Sequence, residues 1–334
     1  MVAAADPFAP DRNLAVELVR VTEAAAVAAS AWIGRGDGEA ADKAAVDAMR
    51  TMFSTVAMSG RVVIGEGEKD QAPMLFNGEH VGSLTNDPLD VAVDPLEGTA
   101  LCATGMPNSI SIVAVANGGT MYNPQPSLYM DKVVTGKRAA GAIDLTAPPS
   151  ENVRNVARRL GKRPTEVSVY LLDRDRHADI VADLRSVGAR VHLLKAGDTA
   201  PAIAAAGIGE GKVDLVLGVG GSPEAVIVAA AMRCLGGEIL ARLWPRNKEE
   251  ERRIRDAGHD LDRVLTTTDL LSGDDVFVAA TGITPGQLLA GVWEDEDSVV
   301  TESLVMRSRS GTWRRIEAHH SPDKHALLIR DRSS

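Results

Sequence analysis

The sequence predicts an α/β protein in two parts: a largely antiparallel sheet with two helices, then a mainly parallel or mixed sheet with helices between its strands. Three observations support this prediction. Up to residue 148, four strand-like segments follow two helical segments. From residue 149, strands and helices alternate, which is typical of a parallel sheet. The chain has 334 residues, more than a single core usually accommodates.

Two helices are predicted at the start of the first part. Residues 12–33 carry apolar residues at helical spacing, and Gly34-Arg35-Gly36 ends that helix. A second helix is predicted over about residues 39–58, and Asp42 lies on its apolar face. Because an unpaired carboxylate on a core-facing stripe is costly, Asp42 must be solvated, salt-bridged or bound to a cation. The residue pattern alone favours solvation.

Acidic residues follow two of the four predicted strands, which cover residues 61–64, 89–93, 109–116 and 128–135. Glu66 comes two residues after the first strand, and Asp94-Pro95-Leu96-Glu97-Gly98-Thr99 comes directly after the second. Pro95 and Gly98 favour a turn that lets Asp94, Glu97 and a carbonyl between them face one point. Oxygen-only ligands on such a turn are typical of a divalent-cation site, although an Asp-Pro turn with a surface Glu is also common.

The second part is predicted to begin after Pro148-Pro149, which divides the chain into residues 1–148 and 149–334. Ser150 is predicted to cap a helix that ends at Gly161. The remaining predicted strands cover residues 167–172, 191–194, 213–218 and 276–280, with helices near Asp175, from Asp198, from Ser222 with its N-cap there, and near Pro285–Ala290. Residues 299–319 are predicted to form a hairpin, and the sheet that it joins is left open.

The net charge of −10 is confined to the first part of the chain. Residues 1–131 carry the whole excess, and no Lys or Arg occurs from Asp70 to Asp131. Such a surface, with only 3% aromatic residues, argues against nucleic acid as a partner. The charge alone fits either a solubilising surface or a divalent-cation site.

The remaining composition predicts a cytoplasmic protein. Cys102 and Cys234 are isolated thiols, which argues against a disulfide scaffold and a zinc knuckle. The first residues lack the basic and apolar regions of a signal peptide. No apolar stretch is long enough to cross a membrane.

Several long motifs, in the order in which they occur along the chain, resemble those of the class II fructose-1,6-bisphosphatase family. These are bacterial sugar bisphosphatases of the lithium-sensitive, metal-dependent phosphatase superfamily. The resemblance extends over roughly residues 12–320. It implies a sugar-phosphatase fold, a two-domain αβαβα sandwich. The strings that carry it include Gly34-Arg35-Gly36-Asp37, Val63-Ile64-Gly65-Glu66-Gly67-Glu68, Val91-Ala92-Val93-Asp94-Pro95-Leu96-Glu97-Gly98-Thr99, Leu128-Tyr129-Met130, Gly218-Val219-Gly220-Gly221-Ser222-Pro223-Glu224 and Ala280-Thr281-Gly282-Ile283-Thr284.

The resemblance also implies roles for individual residues. Two or three Mg²⁺ or Mn²⁺ ions would be held by Asp42, Glu66, Asp94, the Leu96 carbonyl, Glu97 and Glu224. Catalysis would involve Asp70, Thr99 and Glu66, with Asp70 and Thr99 acting on the attacking water. The substrate would contact Glu97, Gly98, Thr99, Tyr129, Arg174, Asp175, Arg176, Ala196, Gly197, Asp198 and Gly221. Without the resemblance, residues 174–176 are typical of a solvated loop, and Glu224 of an ordinary first helical turn.

The activity implied is the hydrolysis of fructose 1,6-bisphosphate to fructose 6-phosphate and phosphate in gluconeogenesis, by a homo-oligomer, a dimer or a tetramer. Alternatives are a sedoheptulose-1,7-bisphosphatase, an inositol-phosphate or nucleotide 3′-phosphatase, and a phosphosugar-binding regulator without catalysis. One departure from the family pattern favours the last alternative: Gly38 stands where relatives usually carry Lys. The intact acidic residues argue against it.

Overall fold

The computed structural model describes residues 14–67, 74–85, 88–209, 212–295 and 297–321. Its helices are α1 (Ala15–Ser30), α2 (Gly38–Phe53), α3 (Thr99–Thr104), α4 (Pro149–Leu160), α5 (Ala178–Ser186), α6 (Thr199–Ala204), α7 (Ser222–Leu235), α8 (Lys248–Asp256) and α9 (Thr267–Leu270). Its strands are β1 (Gly60–Ile64), β2 (His80–Val81), β3 (Leu89–Glu97), β4 (Ile110–Ala116), β5 (Tyr129–Thr135), β6 (Ser168–Leu172), β7 (Arg190–Leu194), β8 (Leu215–Gly221), β9 (Glu238–Leu243), β10 (Leu265–Thr266), β11 (Phe277–Gly282), β12 (Trp293–Asp295), β13 (Ser298–Arg307) and β14 (Thr312–His320).

The elements stack as five layers, helix–sheet–helix–sheet–helix, around three hydrophobic cores. Helices α1 and α2 pack on the outer face of the first sheet. Helices α6 and α7 lie between the two sheets and contribute to the largest core. Helices α4 and α5 cover the outer face of the second sheet. The αβαβα sandwich that the family resemblance implies is confirmed.

The first sheet has the strand order β12-β13-β11-β4-β3-β1-β2. Strands β11 and β12 pair with different parts of one edge of β13, and β14 pairs along its opposite edge. The described strands of this sheet pair antiparallel except for β1 with β3, so the largely antiparallel prediction is confirmed. The second sheet has the order β10-β9-β5-β8-β6-β7. It is mixed: β6 runs parallel to β7 and β8, while the other described pairs are antiparallel.

Two predicted strands lie in a different sheet from the one expected. Strand β5 was expected in the first sheet but pairs with β8 and β9 in the second. Strand β11 was expected in the second sheet but pairs with β4 and β13 in the first. Alternating apolar and polar residues along a segment predict a strand. Which strands it pairs with depends on how distant segments pack against it. The chain thus reaches the second sheet before residue 148, and the predicted domain boundary at that residue stays a prediction.

Several element ends also differ from the prediction. The helix expected at Pro285–Ala290 is absent, because this stretch turns back through a Gly286 N–H bond to the Leu289 carbonyl and buries Leu288 and Leu289. Helix α2 ends at Phe53 rather than near residue 58.

The N-caps of two helices lie one or two residues earlier than predicted. Pro148 is the N-cap of α4, and the Ser150 N–H instead donates to Asp183. Gly221, and not Ser222, is the N-cap of α7.

The predicted C-terminal hairpin is confirmed as β13 and β14, and it joins the first sheet. Among the described residues, no helix combines the length and the apolar character that crossing a membrane requires. Cys102 and Cys234 are both free thiols.

Candidate active site

A cleft of about 660 Å³ lies where the strands of both sheets end. Its walls contain nearly every position that the sequence predicts for the site. These are Asp42, Glu66, Asp94, Leu96, Glu97, Gly98, Thr99, Tyr129, Arg174, Arg176, Ala196, Gly197, Asp198, Gly221 and Glu224. Asp70 lies outside the described residues. Asp175 is exposed in the turn between the two arginines and is not part of the cleft wall.

The end of β3 forms the turn that the Asp-Pro sequence predicts. An Asp94 carboxylate oxygen accepts a hydrogen bond from the Leu96 N–H at 3.2 Å. Gly98 has a φ of 82°, a left-handed conformation that favours glycine, and is the N-cap of α3. The Thr99 hydroxyl donates to the Leu96 carbonyl at 3.1 Å. The turn therefore holds one hydroxyl and two carboxylates on one side of the cleft.

Three carboxylates from two layers converge in the cleft. Oxygens of Asp94, Glu97 and Glu224 lie within 4.8 Å of one another. Glu224 comes from the first turn of α7, and its carboxylate folds back over Gly221, where a Cβ would stand 1.8 Å from Oε2. Gly221 is thus required sterically by the position of Glu224.

The cluster is electrostatically suited to a cation. Burial first, and then the charges of Glu97, Glu66 and Glu224, raise the pKa of Asp94 well above its usual range. Burial and the charge of Glu97 raise the pKa of Glu224 to about 7. The buried Oε2 of Glu224 has no hydrogen-bond partner. An unpartnered buried oxygen among like charges fits a divalent metal, for which an all-oxygen ligand set is typical.

Asp42 and Glu66 line the same cleft. We call these two carboxylates and the three clustered ones the acidic wall. Burial, with the charges of Asp42 and Glu224, raises the pKa of Glu66 to about 7. Burial also raises the pKa of Asp42, which is half-buried on α2. Lys43 forms its ion pair with Asp47 at 2.6 Å. Of the alternatives for Asp42, the structure therefore places its carboxylate among the cleft acids rather than against the neighbouring lysine.

A buried cation that the sequence did not predict lies beside the cleft acids. Lys132 on β5 is only 2% exposed, and its Nζ lies 2.9 Å from an Asp198 oxygen. Burial would lower the pKa of Lys132, but the attraction of Asp198, Glu224 and Glu97 outweighs it and raises that pKa. The signal was available: Lys132 shares the strand face of Met130 and Val134, which are fully buried.

Two arginines, Arg174 and Arg176, also line the cleft, and we call them the basic wall. The Arg176 guanidinium lies 5.5 Å from the centroid of the Tyr129 ring and 5.9 Å from that of Trp244, and it donates to the Val219 carbonyl at 2.9 Å. These contacts fix its direction while leaving other N–H groups for a ligand. Arg174 is exposed and donates to the Asp173 carbonyl at 2.7 Å.

His177, which directly follows Arg176, has a structural role that the sequence did not predict. Its Nδ1 donates to the Leu172 carbonyl at 2.7 Å, and its Nε2 accepts from the Val219 N–H at 2.9 Å. This pattern requires the neutral ring, and burial lowers the pKa of His177 accordingly. His177 therefore ties the end of β6 to β8, next to the arginines.

Comparison with known proteins agrees with the motifs. A family model described as bacterial fructose-1,6-bisphosphatase, glpX-encoded, matches residues 12–320. Among curated proteins, the chain is 42% identical over 326 residues to fructose-1,6-bisphosphatase 1 class 2 of Escherichia coli strain K12. The match covers 94% of this chain and 96% of the relative. Fructose-1,6-bisphosphatase class 2 of Escherichia coli O6:H1 and of Shigella flexneri match with the same identity and the same shares.

Proposed function

The chain belongs to the glpX-encoded bacterial fructose-1,6-bisphosphatase family, and from this premise we propose that its cleft removes the 1-phosphate of fructose 1,6-bisphosphate. The products are fructose 6-phosphate and phosphate, as in gluconeogenesis. The observation that supports this most is the composition of the cleft: clustered carboxylates line it together with Arg174 and Arg176, which follow β6. A sugar with two phosphates needs both kinds of group, because only one phosphate reacts.

The acidic wall would hold the ions. Two or three Mg²⁺ or Mn²⁺ would be bound by the five carboxylates and one carbonyl of Asp42, Glu66, Asp94, Leu96, Glu97 and Glu224. When bound, such ions neutralise the phosphate dianion, make water more acidic and stabilise the departing oxygen.

The residues beside the acidic wall orient the reactants. The Thr99 hydroxyl, which lies 3.1 Å from the Leu96 carbonyl, positions the attacking water, and Asp70 takes up its proton. Glu97, Gly98 and Thr99 contact the scissile phosphate. Because Gly98 has no side chain, the phosphate can approach the backbone of the turn closely.

The basic wall binds the phosphate that does not react. A guanidinium forms paired hydrogen bonds to phosphate and always carries its charge. Arg176 is held in place by Tyr129 and the Val219 carbonyl, so little side-chain freedom is lost on binding. The sugar would contact Tyr129, residues 196–198 and Gly221 between the two walls.

We also propose that the protein is a homo-oligomer in the cytoplasm, where both free thiols remain reduced. Phosphate release from purified protein, measured with Mg²⁺ and with Mn²⁺, tests the reaction. We expect metal-dependent release from fructose 1,6-bisphosphate, with fructose 6-phosphate as the product. Phosphate release from sedoheptulose 1,7-bisphosphate in the same assay tests the alternative substrate. No phosphate release from either bisphosphate would overturn the proposal.

A further inference from the structure

A second cavity, of about 490 Å³, opens at the end of the second sheet opposite the active-site cleft. Among the described residues, four basic side chains and one acidic side chain line it: Lys137, Arg138, Lys162, Lys212 and Asp214. We call it the basic cavity. We propose that the basic cavity is a binding site for a small organic phosphate, separate from the active site and placed to act as an effector site.

Most of the positive charge in the basic cavity is uncompensated by the residues that the structure describes. Asp214 accepts hydrogen bonds from Lys162 Nζ at 2.5 Å and from the Ser168 N–H at 2.9 Å. The other three basic side chains form no ion pair within the described part of the chain. Helices α4 and α6 end at the cavity, and each helix C-terminus is equivalent to roughly half a negative charge. Over the described lining, about two positive charges therefore remain, in a chain whose net charge is −10.

The size and lining of the basic cavity suit a phosphorylated small molecule. Ligand pockets in proteins are typically about 300–1,000 Å³ and combine apolar walls with a few polar groups. Here the apolar wall is formed by Ala139, Leu160 and residues 204–206. Lysine and arginine are the side chains that bind phosphate most strongly. A compact organic anion with two or more negative charges fits both features.

Three elements connect the basic cavity to the active-site cleft. Strand β5 runs from Tyr129 in the cleft to Thr135 in the cavity, and β8 runs back to Gly221 in the cleft. Helix α6 follows Asp198, which lines the cleft, and ends at the cavity. A ligand that shifts these elements at one end can alter the substrate-binding residues at the other.

Binding of 3-phosphoglycerate to the full chain, measured by calorimetry in EDTA, tests the site without metal-dependent binding in the cleft. We expect the double substitution Lys137→Ala/Arg138→Ala to weaken binding at least about tenfold, because hydrogen bonds between charged groups are among the strongest in proteins. The matched control is Arg252→Ala/Arg253→Ala, which removes two exposed charges from α8, and it should bind as the unsubstituted chain does. Equal affinity in both double variants, or no binding to the unsubstituted chain, would overturn the proposal.

Hydrogen exchange of the unsubstituted chain locates the ligand even if the double variant fails to fold. Added 3-phosphoglycerate should protect residues 135–139 and 204–207. Protection confined to residues 196–198 would place the ligand in the active-site cleft and refute the proposal. These measurements need no turnover, so their failure is distinguishable from failure of the proposed reaction.

Discussion

Replacing Gly221 with alanine should disable the metal site without removing any of its ligands. The added Cβ would stand 1.8 Å from Glu224 Oε2, and real Cβ atoms do not approach other atoms closer than about 3.0 Å. The carboxylate must therefore move by about 1.2 Å. A misplacement of this size costs about 100-fold in rate, or about 2.7 kcal/mol of transition-state stabilisation. The assay is kcat/KM for phosphate release, together with the Mn²⁺ concentration that gives half-maximal activity.

The control compares the single variants Gly221→Ala and Glu224→Ala with the double variant, to see whether their effects on activity add. If Gly221→Ala acts only through the Glu224 carboxylate, it should add little to Glu224→Ala, because truncating that side chain removes the clash. Thermal unfolding should show that the Gly221→Ala variant is folded, since the clash involves the flexible end of a side chain. Full activity with unchanged Mn²⁺ dependence in Gly221→Ala would refute the assignment of Glu224 as a ligand.

Four further substitutions test other parts of the structure. Asp94→Ala should abolish metal-dependent activity in a folded protein, as checked by phosphate release and circular dichroism; retained activity contradicts its role. Arg176→Ala should mainly raise KM for the bisphosphate, and an unchanged KM counts against contact with the non-reacting phosphate. Lys132→Met leaves Asp198 buried without its partner and should lower the free energy of unfolding by about 3–5 kcal/mol in urea titrations; no loss would mean that the pair is dispensable. Burial raises the pKa of Glu23 from 4.5 to about 7, so its contribution to stability is present below about pH 4.5 and is lost as the pH rises through 7. Relative to the unsubstituted chain, Glu23→Gln should therefore be more stable at pH 8 than at pH 5 by up to about 3 kcal/mol, and equal differences at both pH values would refute the shift.

The parts of the site that the sequence predicted are those encoded locally. The turn at Asp94, Glu97 and Gly98 depends on residues within six positions, so its shape follows from the order of Asp, Pro and Gly. The assignment of Glu224 required more, because an acid in a first helical turn is ordinary. Only the resemblance to a family connected it with residues more than a hundred positions away.

The parts that the sequence did not predict depend on contacts between distant segments. Lys132 lies opposite Asp198 because β5 inserts between β8 and β9, and β5 had been expected in the other sheet. His177 belongs to no motif in the sequence, yet both of its ring nitrogens are hydrogen-bonded to backbone groups of β6 and β8. Neither role leaves a periodic signal in the chain, because partner strands are selected by the packing of the whole sandwich.

Anomalous diffraction from crystals soaked in Mn²⁺ tests most directly whether the acidic wall is a catalytic metal site. We expect peaks within coordination distance of Asp94, Glu97 and Glu224, and their loss in crystals of the Asp94→Ala variant. Phosphate release by the same protein preparation should depend on Mn²⁺. Mn²⁺-dependent hydrolysis with no anomalous peak at these three carboxylates would contradict the site.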